Sequence, residues 1–224
     1  MALRTKIGAA VVGLALVATA WLGSGPAARA EEPAQADLGR GAQLFELCAQ
    51  CHGPEAQGNA MFLAPSIAGL DKWYIEMQLH EFRKGFRGHQ FDDISGMRMR
   101  PMALTLYGEK DVVDVAAYVA SLPRANPKRT LPGDPEAGKA LFTLCAACHG
   151  ANAQGTEAMK APPLYSLNDW YLVAQLEKFK AGIRGTQPGD PYGVLMGPNS
   201  PMAATLRTDE QVRDVVAHIA SLGN

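Results

Sequence analysis

Every cysteine of the chain belongs to one of two copies of a C-x-x-C-H motif. The two motifs consist of Cys48, Cys51, His52, Cys145, Cys148 and His149, the second copy following the first by 97 residues. Two thiols at this spacing can form thioether bonds to the two vinyl groups of one porphyrin, and the adjacent imidazole can bind its iron. The pattern therefore predicts two covalently bound haem c groups per chain and a protein that handles electrons.

Two other uses of four cysteines agree less well with this pattern. In an oxidising compartment the cysteines could pair as disulfides, but that pairing leaves the two motif histidines unexplained. A zinc site would join two cysteine pairs with 93 residues between them, each inside its own copy. Zinc also does not require a histidine directly after each pair. Two haems account for all six motif residues.

The first thirty residues have the pattern of a secretory leader. Arg4 and Lys6 precede an apolar run over residues 7–22, and residues 28–30 read Ala-Arg-Ala, a small-x-small cleavage pattern. The run is short for a membrane span, which needs ~20 apolar residues. We therefore expect export to the periplasm with cleavage after Ala30, and an uncleaved N-terminal anchor is the alternative.

The charge balance excludes one class of partner. After loss of the leader, 194 residues remain with 18 Lys and Arg against 22 Asp and Glu, a formal net charge of −4. Nothing resembles the basic stripe of a nucleic-acid-binding protein, so we expect no nucleic-acid partner. Membrane association is expected only through partners or an uncleaved leader. Arg83, Lys84, Arg87, Arg98 and Arg100 predict a basic surface patch in the first half of the chain.

The two halves resemble each other far beyond the motifs. Residues 73–88 read W-Y-x-x-x-Q-L-x-x-F-x-x-G-x-R-G, and residues 170–185 repeat this pattern with the same 97-residue shift. The shift becomes 100 between Gly193 and Pro201, so the second copy has three extra residues there. The chain therefore contains one kind of domain, written twice.

A proline-rich segment separates the two copies. It contains four prolines and predicts an extended, fairly stiff linker. We therefore predict a signal peptide at 1–30, a first domain at 31–122, a linker at 123–135 and a second domain at 136–224.

Helical periodicity dominates both copies. Apolar residues recur at i, i+3, i+4 and i+7 over residues 112–122 and again near the C-terminus. Thr208 and Gln211 predict a capping box for the last helix, and Gly85 and Gly182 predict the ends of a middle helix. No sustained strand pattern is present. The predicted fold class is all-α, with each short domain folded around a haem that supplies its missing apolar centre.

Methionines are the candidates for the second axial ligand. Met99 and Met196 each lie 47 residues beyond the motif histidine of their own copy. A methionine opposite a histidine raises the reduction potential and occupies the sixth coordination site. Met102 and Met202 are the alternatives, because the insertion next to Met196 could bring Met202 to the iron. Otherwise we expect these two to pack at the start of the last helix of each domain.

Two pairs of residues predict close contacts inside each domain. Pro65 and Pro162 lie thirteen residues beyond the motif histidines, and their carbonyl groups are expected to accept the imidazole N–H. Gly41 and Gly138 are expected to let the first and last helices of each domain cross closely.

These motifs together resemble a known family. The two C-x-x-C-H motifs, the W-Y to R-G pattern and a methionine loop leading into A-x-T-L and a terminal helix are similar to the dihaem cytochrome c4 family. That family is built from two class I cytochrome c folds, and the resemblance covers essentially all of the mature chain. It implies two His/Met haems packed near each other, a roughly two-fold arrangement of domains and a periplasmic electron shuttle. His218 departs from the aromatic residue expected where the helices cross.

We therefore predict a periplasmic dihaem c-type cytochrome, an electron carrier and not an enzyme. It would transfer electrons from a quinol-oxidising complex to a terminal oxidase or reductase, through transient docking that buries less than ~1,200 Å². The alternative is the electron-transfer subunit of a periplasmic dehydrogenase complex that oxidises sulfide, thiosulfate or alcohol. A dihaem peroxidase-type enzyme is less consistent, because it requires an iron that is open to substrate.

Overall fold

The computed structural model describes residues 35–223, and the predicted leader lies outside them. These residues form eight α-helices and no strand, which confirms the all-α prediction. The helices are α1 (Leu38–His52), α2 (Lys72–Lys84), α3 (Ile94–Leu104), α4 (Glu109–Ser121), α5 (Pro135–His149), α6 (Asp169–Lys180), α7 (Pro201–Thr205) and α8 (Asp209–Ser221). Within the described range, every helix is too short or too polar to cross a membrane.

The first and last helices of each half cross at a glycine. A Cβ atom on Gly41 of α1 would lie 2.2 Å from the carbonyl oxygen of Asp114 in α4. The same atom on Gly138 of α5 would lie 1.9 Å from the carbonyl oxygen of Asp214 in α8. Because only a hydrogen atom fits between the two backbones, the helices can approach closely, and the predicted crossing is confirmed.

An aromatic contact accompanies each crossing. The rings of Phe45 and Tyr118 have centroids 5.5 Å apart in the first half. Phe142 and His218 make the equivalent contact at 5.4 Å in the second. The imidazole of His218 therefore takes the place of the aromatic ring, and the contact survives this departure from the family pattern.

A buried carboxylate joins the start of the first helix to the last helix in each half. Asp114 accepts a hydrogen bond from the backbone N–H of Asp37 at 2.8 Å, and Asp214 accepts one from Asp134 at 2.8 Å. Asp37 and Asp134 are themselves the N-caps of α1 and α5. These hydrogen bonds hold the N-terminus of each motif-bearing helix against the last helix of the same half.

The predicted helix ends are confirmed, with one small difference. Thr208 and Gln211 form the capping box of α8. Gly85, in the left-handed conformation at φ 78°, directly follows α2. The helix α6 ends one residue earlier than expected, at Lys180, and Gly182 takes the left-handed conformation at φ 72°. Glycine suits these positions because it lacks the Cβ that disfavours positive φ.

The segment before the last helix differs between the halves. In the first half it is the single helix α3, whereas in the second it is a 3₁₀ turn at Gly193–Leu195 followed by the short α7. The prediction that Met102 and Met202 begin the last helices is wrong, because Met102 lies in α3 and Met202 in α7. The last helices begin afresh at Glu109 and Asp209, after a new cap.

The segment between α4 and α5 is held against the second half. Asp169, the first residue of α6, accepts the backbone N–H groups of Thr130 and Leu131 at 2.5 and 2.6 Å. It also accepts the hydroxyl group of Thr130 at 2.9 Å. Although burial acts in the opposite direction, these donors lower the pKa of Asp169. The segment is extended, and one buried carboxylate anchors it.

We expect Asp169→Asn to lower the free energy of unfolding by about 2 kcal/mol, because hydrogen bonds to a charged acceptor are worth about 1.5–3 kcal/mol. The stabilisation by the carboxylate is present above its unfolded pKa and is lost as the pH falls through its lower folded pKa. The variant should therefore lose less stability on acidification. Chemical denaturation at several pH values measures both effects. The control is Asp209→Asn, which changes the first residue of α8. An equal loss of unfolding free energy in this control would contradict a stabilising role of the hydrogen bonds from Thr130 and Leu131 to Asp169.

Candidate haem sites

Each motif histidine ends its helix and is buried. His52 is the last residue of α1 and His149 the last of α5, and each is 7% exposed. The Nδ1 atom of His52 lies 2.8 Å from the carbonyl oxygen of Pro65, and that of His149 lies 2.9 Å from the carbonyl oxygen of Pro162. The predicted proline contacts are thus confirmed. Because Nδ1 donates to a carbonyl group, each ring presents Nε2 as its metal-binding atom.

Burial shifts the pKa values of the motif side chains. Burial lowers the pKa of His52 and of His149, against the opposing effect of the bond to the proline carbonyl. Both rings are therefore neutral at neutral pH, the form that binds iron. Burial also raises the pKa of Cys48 to about 11 and raises that of Cys145. No disulfide joins the four cysteines of the two motifs.

An apolar cavity of about 430 Å³ faces the first motif. Cys48, Cys51 and His52 line it, and α3 contributes Met99 and Met102 to its wall. Both candidate methionines of the first half are therefore brought to the cavity that contains the motif histidine.

The cavity of the second half distinguishes between its two candidate methionines. It has a volume of about 120 Å³ and is lined by Cys145, His149 and Met196. Met202 is 5% exposed and packs in the core of α7 and its neighbours, outside this lining. The insertion therefore does not bring Met202 to the cavity.

The zinc alternative has no site in the described part of the chain. Within residues 35–223, no three side chains of His, Cys, Asp or Glu come together as metal ligands. Each motif histidine instead shares a cavity with a methionine, which is the donor set of a low-spin haem iron.

A polar interface between the halves adjoins both cavities. Gln78 and Tyr171 line the first cavity and the second. Arg87 of the first half donates to Gln175 of the second at 3.3 Å, and Arg184 of the second half donates to Gln78 of the first at 3.4 Å. The contacts are reciprocal, as a two-fold arrangement of the two repeats requires.

This interface holds more positive than negative charge. Arg87 and Arg184 are both buried, and the carboxylate of Glu81 pairs with Arg184 at 3.3 Å. The second carboxylate of the interface, Asp93, pairs with Lys178 at 2.6 Å. The Nε atom of Arg87 is buried without a hydrogen-bond partner. A buried, uncompensated charge is costly, so these arginines call for further anions. The propionate groups of haem are suitable anions, and the residues present therefore fit the cofactor.

Sequence reasoning missed this interface. The predicted basic surface patch includes Arg87, but Arg87 is buried between the halves, and Arg83 pairs with Glu109 at 2.9 Å. The expected patch is therefore smaller than predicted. A signal was present, because Gln78 and Arg87 each recur 97 residues later as identical residues. Repetition alone, however, does not tell an internal contact from a contact between the two copies.

Comparison with known proteins identifies the family. The cytochrome c family matches residues 38–123 and 135–223. The chain belongs to this family and contains two of its domains in tandem. It is an electron-transfer cytochrome that carries two haem c groups.

Individual relatives confirm the resemblance to dihaem cytochromes. The "thiosulfate dehydrogenase electron acceptor" of Stutzerimonas stutzeri (strain A1501) is 30% identical over 189 residues, which cover 79% of each chain. Reduced recombinant cytochrome c4 from Pseudomonas stutzeri superposes with a TM-score of 0.63 at 25% identity, over 83% of this chain and 98% of that one. Thiosulfate dehydrogenase TsdBA from Marichromatium purpuratum gives a TM-score of 0.66 at 30% identity, over 83% of this chain but 40% of that one.

Proposed function

We propose that the chain is a periplasmic electron carrier with two histidine–methionine haem sites. The proposed ligand sets are Cys48, Cys51, His52 and Met99 in the first half and Cys145, Cys148, His149 and Met196 in the second. The observation that carries the proposal is that a buried, neutral histidine and a methionine line one cavity in each half. Each bound haem supplies reversible one-electron chemistry, and the protein orients it, excludes water and sets its potential.

The organisation predicted from the sequence is part of this proposal. The leader at 1–30 would be removed after Ala30 during export, and domains at 31–122 and 136–224 would remain joined by the linker at 123–135. Each domain would then contribute one haem.

The first candidate donor is an oxidoreductase of the thiosulfate dehydrogenase type. The relative that matches 79% of this chain is named as the electron acceptor of such an enzyme. The structural match to a chain of the solved thiosulfate dehydrogenase TsdBA covers 83% of this chain and 40% of that one. The second candidate is a quinol-oxidising complex that delivers electrons through this carrier to a terminal oxidase.

Anaerobic stopped-flow mixing tests this proposal. We expect the oxidised holoprotein to accept two electrons per chain from a thiosulfate dehydrogenase supplied with thiosulfate, with rates that fall as salt rises, because charged patches steer the encounter. A parallel reaction with a quinol-oxidising complex and quinol compares the two donors. Omission of thiosulfate is the control. Rapid binding of carbon monoxide to either reduced haem would contradict the two histidine–methionine sites.

A further inference from the structure

The duplication places opposite charges at equivalent positions of the interface. Glu81 in α2 and Lys178 in α6 are related by the same 97-residue shift that relates the interface glutamines and arginines to each other. The glutamines and arginines are identical in the two copies. The interface is therefore close to symmetric in shape but not in charge.

Glu81 acts across the interface. It belongs to the first half, yet it is 6% exposed and lines the cavity of the second half, together with His149 and Met196. Its carboxylate lies 3.3 Å from Arg184, which lines the same cavity. The negative charge of the first copy is thus placed at the second haem site.

Lys178 acts across the interface in the opposite direction. Its Nζ atom donates to the carboxylate of Asp93 and to the hydroxyl group of Ser95, each at 2.6 Å. Both acceptors belong to the first half, and Ser95 lines the first cavity. The positive charge of the second copy is thus placed beside the first haem site.

The partners of these two charges do not cancel the difference between the sites. Arg184, which pairs with Glu81, has the buried Arg87 as its counterpart in the first half. Asp93, which pairs with Lys178, has the buried Asp190 as its counterpart, and the two carboxylates accept the N–H groups of Gly96 and Gly193 respectively. Because both halves contain one such arginine and one such aspartate, these residues do not make the sites unequal. Arg98 lines the first cavity and Lys160 the second, so each cavity also has one further cation without a charged counterpart. Glu81 and Lys178 are the equivalent positions of the interface that carry opposite charges.

We propose that Glu81 and Lys178 bias the distribution of an electron between the two haems. A carboxylate at the second site disfavours the added negative charge of reduction there, and an ammonium group beside the first site favours it. In the chain that carries one electron, this pair shifts the electron towards the haem of the first half. The proposal rests on the proposed function, because it places one haem in each cavity.

Redox titration of the purified holoprotein tests the bias. For Glu81→Gln, we expect the potential of the second haem to rise relative to the first, so that the equilibrium constant for electron exchange moves towards the second haem about tenfold, or about 59 mV for a one-electron couple. Lys178→Gln should lower the potential of the first haem and shift the exchange in the same direction. Met99→His and Met196→His spectra assign the two transitions to the two haems.

Two variants on the same helices are matched controls. Glu76→Gln in α2 and Lys180→Gln in α6 change the charge equally but outside the lining of both cavities. An unchanged separation of potentials in Glu81→Gln, or a change no larger than in Glu76→Gln, would overturn the inference. Haem content and the methionine-to-iron absorption are recorded first on the unmodified protein. Their absence would contradict the proposed ligands, whereas the comparison of Glu81→Gln with its control is read from the potentials alone.

Discussion

We expect Met196→Ala to remove the methionine-to-iron absorption of one haem and to lower the reduction potential of that haem. A thioether opposite histidine raises the potential. Its loss should lower the potential by on the order of 0.1 V, within the roughly 0.8 V that axial ligands span. Met99→Ala should have the same effect on the other haem. Absorption spectroscopy of the oxidised protein and a redox titration measure both changes, while a haem count shows that the cofactors are still attached.

Met202→Ala is the matched control in the second half. Met202 is buried in the core, so its truncation should cost about 2–5 kcal/mol of unfolding free energy, because it leaves a cavity. The absorption band should nevertheless stay complete. Loss of half of the band in Met202→Ala, together with a full band in Met196→Ala, would reverse the assignment. Met102→Ala provides the same control for Met99, whose cavity it shares.

We expect Gly138→Ala to destabilise the second half by about 3 kcal/mol or more, at the upper end of what overpacking costs. The new Cβ atom would lie 1.9 Å from the carbonyl oxygen of Asp214, so α5 and α8 must move apart. Since α5 carries the second motif, separation of these helices should also reduce haem attachment in that half. Denaturant unfolding and the number of haems per chain measure the two effects.

Gly39→Ala is the control for this change. Gly39 also lies in a helix, but the nearest atom to its Cβ position is a side-chain oxygen of Asp37 at 3.3 Å. Alanine there should change the free energy of unfolding by no more than about 1 kcal/mol, because its preference for helix offsets the slight crowding of the Asp37 side chain. Similar tolerance of both substitutions would show that the contact between α5 and α8 is not tight.

Local sequence patterns determined most of each domain. The motif histidines, the prolines that accept their N–H groups and the glycines at the helix crossings were all identified from spacing, and the structure places them as expected. Such features are readable because each depends on residues at a fixed separation within one copy. The duplication supports these predictions, since the histidines, the prolines and the crossing glycines each occur at equivalent positions in both copies.

Contacts between the copies were not readable in this way. Nothing in the spacing showed that Arg87 is buried against the second half, or that Glu81 lines the cavity of the other domain. Because of the three-residue insertion, spacing likewise did not show whether Met196 or Met202 lies in the cavity beside His149. Motif spacing and helical periodicity relate residues that are near each other in the sequence. The burial of Arg87, the position of Glu81 and the position of Met202 depend instead on how distant segments pack together.

The sequence alone therefore determined that this protein consists of two helical haem domains, because covalent haem attachment and helix packing each require particular residues at short, fixed separations. The tertiary structure alone decided which methionine shares the second cavity with His149 and where the interface charges lie. The physical reason is that desolvation and electrostatic effects depend on distances through space. Glu81 and Lys178 occupy equivalent positions in the sequence and act on opposite haem sites.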